Sequence, residues 1–472
     1  MNQKRLTILG LALFTATLIA RADETQQTNQ PESGFQRFCE QDYMLGDWGG
    51  TRTELSKHGV DFEFFYAASV PMNLGGGLKP GAIYQGALLM TLDLDSEKLL
   101  GYEGGTLHAG SLWLNGQKPF SDDYVGDLNK VNLLDFPNSF RLWELWYQQK
   151  VLNDKFSIKV GNLVVDHDFI VPEYYISLAS LTFLNQTFYF PTMSFDVYGI
   201  PGLPNQNHGL PSTPYAAPGA VLRWDPVPQF YAQAAVYGGD PDQSASGTDF
   251  SLSQSQGSLF YYEIGYKLNQ KKTDPGLGGS YKLGGWFHTG GFADVYGGVT
   301  AEALQSFGFP APPVSEHQND YGFYFLAEQQ LYLEKSKDDP AQEGLVGFIR
   351  IGGAPADRNI AMFGADGGIV YKGLIPHRDW DTLGLAYSYL KMSDDIRNAQ
   401  IGINEFAVSN GAPAPFQQLA DYEAVIELSY KAQLTAWWTV QPDLQRVFHP
   451  GGRVGSDTPD AWVFIIQTTF RF

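Results

Sequence analysis

The chain has 472 residues, enough for one very large domain or several ordinary ones. Its 51 acidic against 31 basic residues leave a formal net charge of −20, which argues against a nucleic-acid partner, and its single cysteine, Cys39, excludes an internal disulfide framework and any metal site that needs a pair or a quartet of cysteines. With 52 glycines, 14% aromatic residues and only 17% charged ones, the composition favours strands and turns over soluble helices.

At the start, Lys4 and Arg5 precede an apolar stretch from Leu6 to Ala20 that ends in Ala20-Arg21-Ala22. Residues 1–22 therefore read as a secretory signal peptide, shorter in its apolar part than the ~20 residues a membrane-spanning helix needs. Residues 23–59 follow as an entry segment, placed at the periplasmic mouth, with a short helix over Leu45–His58 after a turn at Asp47-Trp48-Gly49-Gly50. No later stretch is long and apolar enough for a transmembrane helix, so a membrane span requires a closed barrel.

From Val60 onward the chain alternates with a period of two. Val60, Phe62, Phe64, Tyr66 and Ala68 interleave with Asp61, Glu63, Phe65, Ala67 and Ser69. Tyr84 to Leu94 and Glu423 to Lys431 repeat the pattern. At the end, Trp462, Phe464, Ile466, Thr468, Phe470 and Phe472 oppose Val463, Ile465, Gln467, Thr469 and Arg471. Such alternation puts successive side chains on opposite faces of a strand, and charge on one face suits a water-filled lumen better than a dry core.

Sixteen such runs are predicted, at 60–70, 83–95, 106–115, 139–150, 156–165, 218–225, 229–238 and 259–268, then 280–290, 321–333, 344–352, 365–372, 382–391, 421–433, 436–448 and 461–472. Their connections alternate in length, every odd-numbered one longer than both neighbours. That sorting is the mark of a bacterial barrel with short periplasmic turns and long extracellular loops. The fold expected is all-β: a transmembrane antiparallel β-barrel of about sixteen strands over 60–472. The longest connection, 166–217, is dense in aromatics such as Tyr174-Tyr175-Ile176 and Phe188-Tyr189-Phe190, and folds into the lumen as a constriction.

Several segments resemble the carbohydrate-selective porins of the OprB family. They are Leu45-Gly46-Asp47-Trp48-Gly49-Gly50-Thr51-Arg52, Arg141-Leu142-Trp143-Glu144-Leu145-Trp146-Tyr147, Tyr215-Ala216-Ala217-Pro218-Gly219 and Tyr281 to Gly290. Gly352-Gly353-Ala354-Pro355-Ala356-Asp357-Arg358-Asn359 and Gln441-Pro442-Asp443-Leu444-Gln445 complete the set, which spans nearly all of the chain after the signal peptide. The resemblance implies a sixteen-stranded outer-membrane channel for mono- or small oligosaccharides such as glucose, acting as a monomer and without a cofactor. Two departures stand out: His377, where the family pattern leads one to expect Gly, and the stretch Asp196–Pro214 in the long loop.

A sugar channel needs hydrogen-bonding groups and aromatic faces at a narrow point, without tight binding. Strand parity selects Glu144 and Trp146 in the fourth run, Lys159 in the fifth, Arg223 in the sixth, Lys282, Trp286 and His288 in the ninth, and Arg350 in the eleventh. Asp166 and Asp168 begin the constriction loop and join this set. Trp146 and Trp286 are the expected stacking faces. The plainer alternative is that the lumen charges pair with one another and hold loops. Outward aromatics such as Tyr147, Trp462, Phe470 and Phe472 fit an interfacial girdle. Asp166-His167-Asp168 invites a metal reading, but along a strand His167 points away from both carboxylates. The excess acid lies in loops, where divalent cations bridging lipopolysaccharide would offset it. A barrel lipase or protease would need a Ser/His/Asp set of common parity that the chain does not assemble, so no catalytic residue is assigned. A general porin and a soluble sugar-binding β-protein are the other readings.

Overall fold

The computed structural model describes residues 34–116, 119–171, 182–189, 210–241, 244–250, 257–271, 273–335, 343–455 and 457–472. The predicted signal peptide, Tyr174-Tyr175-Ile176 and most of the divergent stretch at 196–214 lie outside them.

The alternating runs become β1 (Val60–Gly75), β2 (Gly81–Ala82), β3 (Gln85–Asp95), β4 (Gly105–Gly116), β5 (Ser139–Val151), β6 (Phe156–Leu163) and β7 (Ala217–Val227). They continue as β8 (Phe230–Gly238), β9 (Ser258–Leu268), β10 (Gly279–Ala293), β11 (Glu316–Leu333) and β12 (Gly344–Gly353). The last are β13 (Ala361–Lys372), β14 (Thr382–Met392), β15 (Tyr422–Thr435), β16 (Trp438–Phe448) and β17 (Ala461–Arg471). Apart from the two-residue β2, these form one closed ring of sixteen antiparallel strands in chain order. The ring closes where β1 pairs with β17, from Phe65 opposite Arg471 to Met72 opposite Phe464. Closure satisfies the backbone groups that an open edge would leave bare in lipid. No helix among the described residues is long and apolar enough to cross a membrane.

Parity sorts the side chains as the alternation demands. Leu145, Ile158, Val160, Leu222, Trp224, Ile349 and Trp462 are exposed on the outside, whereas Ala67, Leu112, Glu144, Arg350, Val463 and Ile465 are buried inside. Near the short-turn end, Trp437, Trp438 and Phe470 stack with centroids 6.1 and 6.0 Å apart. Amphipathic rings at such a level suit a membrane interface.

The connections 117–138, 164–216, 239–257, 294–315 and 393–421 share one end of the barrel, and the turns 152–155, 228–229 and 436–437 share the other. The strict rule of alternating lengths fails at 354–360, which is shorter than both 334–343 and 373–381, because β13 begins at Ala361 rather than at 365. β11 likewise begins at Glu316, not 321, and β6 ends at Leu163, giving way to a short turn of 3-10 helix at Val165–His167. Two helices that the alternation did not foresee, Val295–Ser306 and Asp394–Ser409, sit in the long connections and pack on each other. Each is capped by a side chain: Asp294 accepts from Gly297 N at 2.7 Å and Ser393 from Asp395 N at 3.1 Å.

Before the first strand, the helix runs from Thr51 to Lys57, shorter than the expected Leu45–His58. Gly49 (φ 70°) and Gly50 (φ 97°) adopt the left-handed conformation that bends the chain into it. This segment lies across the β1–β17 seam. Met44 N donates to Arg471 O at 2.8 Å and Arg52 Nη2 to Phe472 O at 2.6 Å. The Arg52 guanidinium lies 3.7 Å from the Tyr43 ring and 4.6 Å from that of Trp48.

Candidate functional site

Inside the barrel, β4, β5 and β6 present a cluster of polar and aromatic groups beside the start of the long connection. A β-bulge in β5 prepares it. Gly110 pairs with Glu144 and Ser111 with Leu142, so Trp143 is the extra residue and both Trp143 and Glu144 are buried. His167 Nδ1 donates to Glu144 Oε2 at 2.8 Å, and His108 Nε2 lies 4.0 Å from the same oxygen. The ring of Trp146 stacks on His108 at 4.7 Å with an interplanar angle of 11°. Lys159 Nζ lies 4.8 Å from the centre of the Trp146 ring and pairs with Asp168 Oδ1 at 2.5 Å. The Trp146 ring thus meets the His108 imidazole and the Lys159 ammonium, with the Glu144–His167 pair beside His108. Burial opposes charging of His167, but Glu144 above all, with Asp166 and Asp168, outweighs it and pushes the imidazole up to about 9.

Three consecutive residues here take three different partners. Asp166 accepts from Thr213 N at 3.0 Å and from Thr213 Oγ1 at 2.7 Å, His167 binds Glu144, and Asp168 binds Lys159. Among the described residues no group of three His, Cys, Asp or Glu is placed to hold a metal.

Of the other sequence-predicted residues, Arg223 adjoins this cluster through Gln233, which accepts from Arg223 Nη1 at 3.4 Å and donates to Asp168 O at 2.5 Å, and Trp286 shares an apolar cluster against which Trp146 packs. Arg223 forms a bidentate pair with Asp225 at 2.9 and 3.0 Å, its guanidinium 3.9 Å from the Tyr231 ring. Lys282 is buried and donates from Nζ to Val171 O at 2.5 Å. Arg350 is buried too, bonded to Asp366 Oδ1 at 2.7 Å and to Thr187 O at 2.8 Å. Trp286 was expected as a stacking face, yet it is 0% exposed. It packs in an apolar cluster with Phe169, Val221, Tyr261 and Tyr324, so it offers no face to a solute. The physical reason is the long connection itself, whose apolar residues Phe169, Ile170 and Leu210 cover this wall.

Several buried groups escaped the sequence reading. Glu427 accepts from Leu184 N at 2.5 Å and Asn185 N at 3.1 Å. Glu423 accepts from Leu128 N at 2.8 Å and Asn129 N at 2.9 Å. Asp135 accepts from Phe120 N at 2.6 Å and Ser121 N at 2.8 Å. In each, one carboxylate holds two successive backbone N–H groups of a segment lying inside the barrel. Glu263 adds a fourth anchor, accepting from Ile170 N at 3.0 Å, Tyr231 Oη at 2.7 Å and Tyr324 Oη at 2.9 Å. Parity applied to the run 259–268 places Glu263 inward with Tyr261, and the alternation at 423–431 does the same for Glu423 and Glu427. Trp143 gave no such signal, because a bulge breaks parity.

The model of the family described as "Carbohydrate-selective porin, OprB family" matches residues 79–472. Porin B of Pseudomonas aeruginosa is 27% identical over 440 residues, covering 91% of each chain. "Putative porin QuiX" of Acinetobacter baylyi is 22% identical over 92% of this chain and 94% of its own. Among solved structures, Pseudomonas putida OprB at high pH superposes with a TM-score of 0.77 at 24% identity, covering 92% of this chain and 99% of that one. The closed ring, the charged lumen and the match over most of its length make this chain a member of the carbohydrate-selective porins of the OprB family, an outer-membrane protein.

Proposed function

We propose that the chain is a passive diffusion channel for mono- and small oligosaccharides such as glucose, with a weak, saturable sugar site at the Trp146 cluster. The observation that carries this reading is the partly exposed indole of Trp146, in contact with His108 and Lys159 beside the pairs Lys159–Asp168 and Glu144–His167. The aromatic face suits the C–H face of a pyranose, and the flanking charges orient its hydroxyls. Charges of both signs at one point resist passage of simple ions of either sign. No bond is made or broken, and flux follows the gradient. Asp166, Lys282 and Arg350 serve the site indirectly, by holding the 166–217 loop as the constriction. The long-loop end faces outside, the segment at 23–59 lies in the periplasm, and the monomer contacts outer-membrane lipid and lipopolysaccharide.

The test is a planar-bilayer recording of the mature protein with glucose, then with a small organic anion. Discrete steps that glucose blocks saturably support the reading. Steps that no sugar blocks would leave a general porin. Trp146→Ala should raise the half-blocking glucose concentration about three- to tenfold, the value of one aromatic contact.

A further inference from the structure

Across Trp143 from this cluster, the lumen wall of β1, β3, β4 and β5 holds a recess of about 330 Å³. Phe65, Ala87, Leu89 and Leu112 form its floor, and Phe136 and Trp143 form its sides. All four floor residues hold inward positions. Phe65 pairs with Leu89 across β1 and β3, and Leu89 with Leu112 across β3 and β4. Its polar side chains are Glu63 of β1, which pairs with Arg471 at 3.0 Å, and Tyr189 and Thr213 of the long connection.

An apolar hollow is unusual on a wall that must stay wet. A free sugar carries a hydroxyl on nearly every carbon, and seating it here would exchange water for a surface with few hydrogen-bonding partners. An alkyl or aryl group loses nothing by entering and gains the burial of its own apolar area. Trp143 links the recess to the polar cluster: its ring meets that of His167 edge-on at 4.7 Å, and His167 in turn binds Glu144. Trp143 thus stands between the recess and the polar cluster, and a solute with a sugar at one end and an apolar group at the other would reach past this indole to touch both.

We propose that the recess is a subsite for the apolar aglycone of an amphipathic glycoside, an alkyl or aryl group on the anomeric oxygen, while the sugar rests at the Trp146 cluster. This rests on the sugar-channel reading and extends it to a substrate class.

The test compares block of single-channel current by phenyl β-D-glucoside and by glucose. Wild type should be half-blocked by the phenyl glucoside at a concentration about five- to twentyfold lower, the gain from burying most of one phenyl ring. Leu89→Gln should bring the two solutes to within about twofold of each other, leaving glucose block unchanged. Ala87→Leu, which fills the floor without adding polarity, should do the same and serves if the first variant does not insert. Equal block of wild type by the two solutes overturns the subsite and leaves the sugar channel standing. So does an aryl preference that survives in an inserted variant. Block by neither solute removes the sugar reading, and the subsite with it.

Discussion

From β1 to β4 the inward positions include an apolar patch of Phe65, Ala67, Ala87, Leu89 and Leu112 bordered by Glu63, Gln85 and His108, whereas from β7 to β15 they include Arg223, Glu263, Lys282, Arg350, Asp366 and Glu427. Composition alone would assign the solute to the second, charged group. The geometry points the other way. Of those charges, Glu263, Lys282, Arg350 and Glu427 are committed to backbone groups of segments crossing the lumen. The first wall holds its inner segment through neutral groups, Ser69 and Gln85 bonding Asn132 and Asp135, and it keeps its hollow beside that segment. In this barrel charge holds the inner segments, and the less polar side leaves room beside them.

That division can be broken on one side at a time. The largest effect should come from Arg350→Met, which removes the partner of buried Asp366 and the bond to Thr187 O. It should lower stability by about 3–5 kcal/mol, read from the heat-dependent gel mobility of detergent-folded protein. Glu427→Ala strands the N–H groups of Leu184 and Asn185. A loss of about 2–3 kcal/mol is expected, with larger and noisier single-channel current as the loop loosens. Unchanged conductance in that variant would show that the clamp does not set the bore.

A pH series tests the border between the walls. The His167 value is raised from 6.5 to about 9, so its pairing contributes fully below about 6.5 and is lost as pH rises through about 9. Thermal stability and sugar block should both decline over that window in wild type, and the decline in block should vanish in His167→Gln. The smallest effect is expected away from either wall. His377 holds a left-handed backbone (φ 65°) in the turn between β13 and β14, the position where the family pattern suggested Gly. His377→Gly should raise stability by about 0.5–1 kcal/mol and leave conductance and block as they were.

Much of the architecture was legible because a lipid-facing barrel imposes a period of two over long runs, and the outward Leu222, Trp224 and Ile349 obey it. Boundaries slipped where the strand continues past the apolar run, as at Glu316–Asp320 and Ala361–Gly364. The site was less legible. Parity says which residues face inward, as it did for Lys282 and Trp286, but not what will cover them. Their burial depends on where Val171 and Phe169 come to rest, and no periodicity encodes that. The helices at Val295–Ser306 and Asp394–Ser409 stayed hidden for a related reason. Their faces are matched to each other and to loop residues, and so lack the strand pattern that guided the reading elsewhere.

The carboxylate clamps have a consequence for how such a channel diversifies. Glu427, Glu423 and Asp135 grip amide N–H groups, which every residue except proline supplies identically. The moorings are therefore indifferent to the side chains of the cargo they hold. Leu128, whose side chain is exposed, can be rewritten without loosening the tether, so long as Glu423 keeps its carboxylate. A barrel built this way can exchange the chemistry of its inner loops while keeping their path, and retune what passes without redesigning the wall.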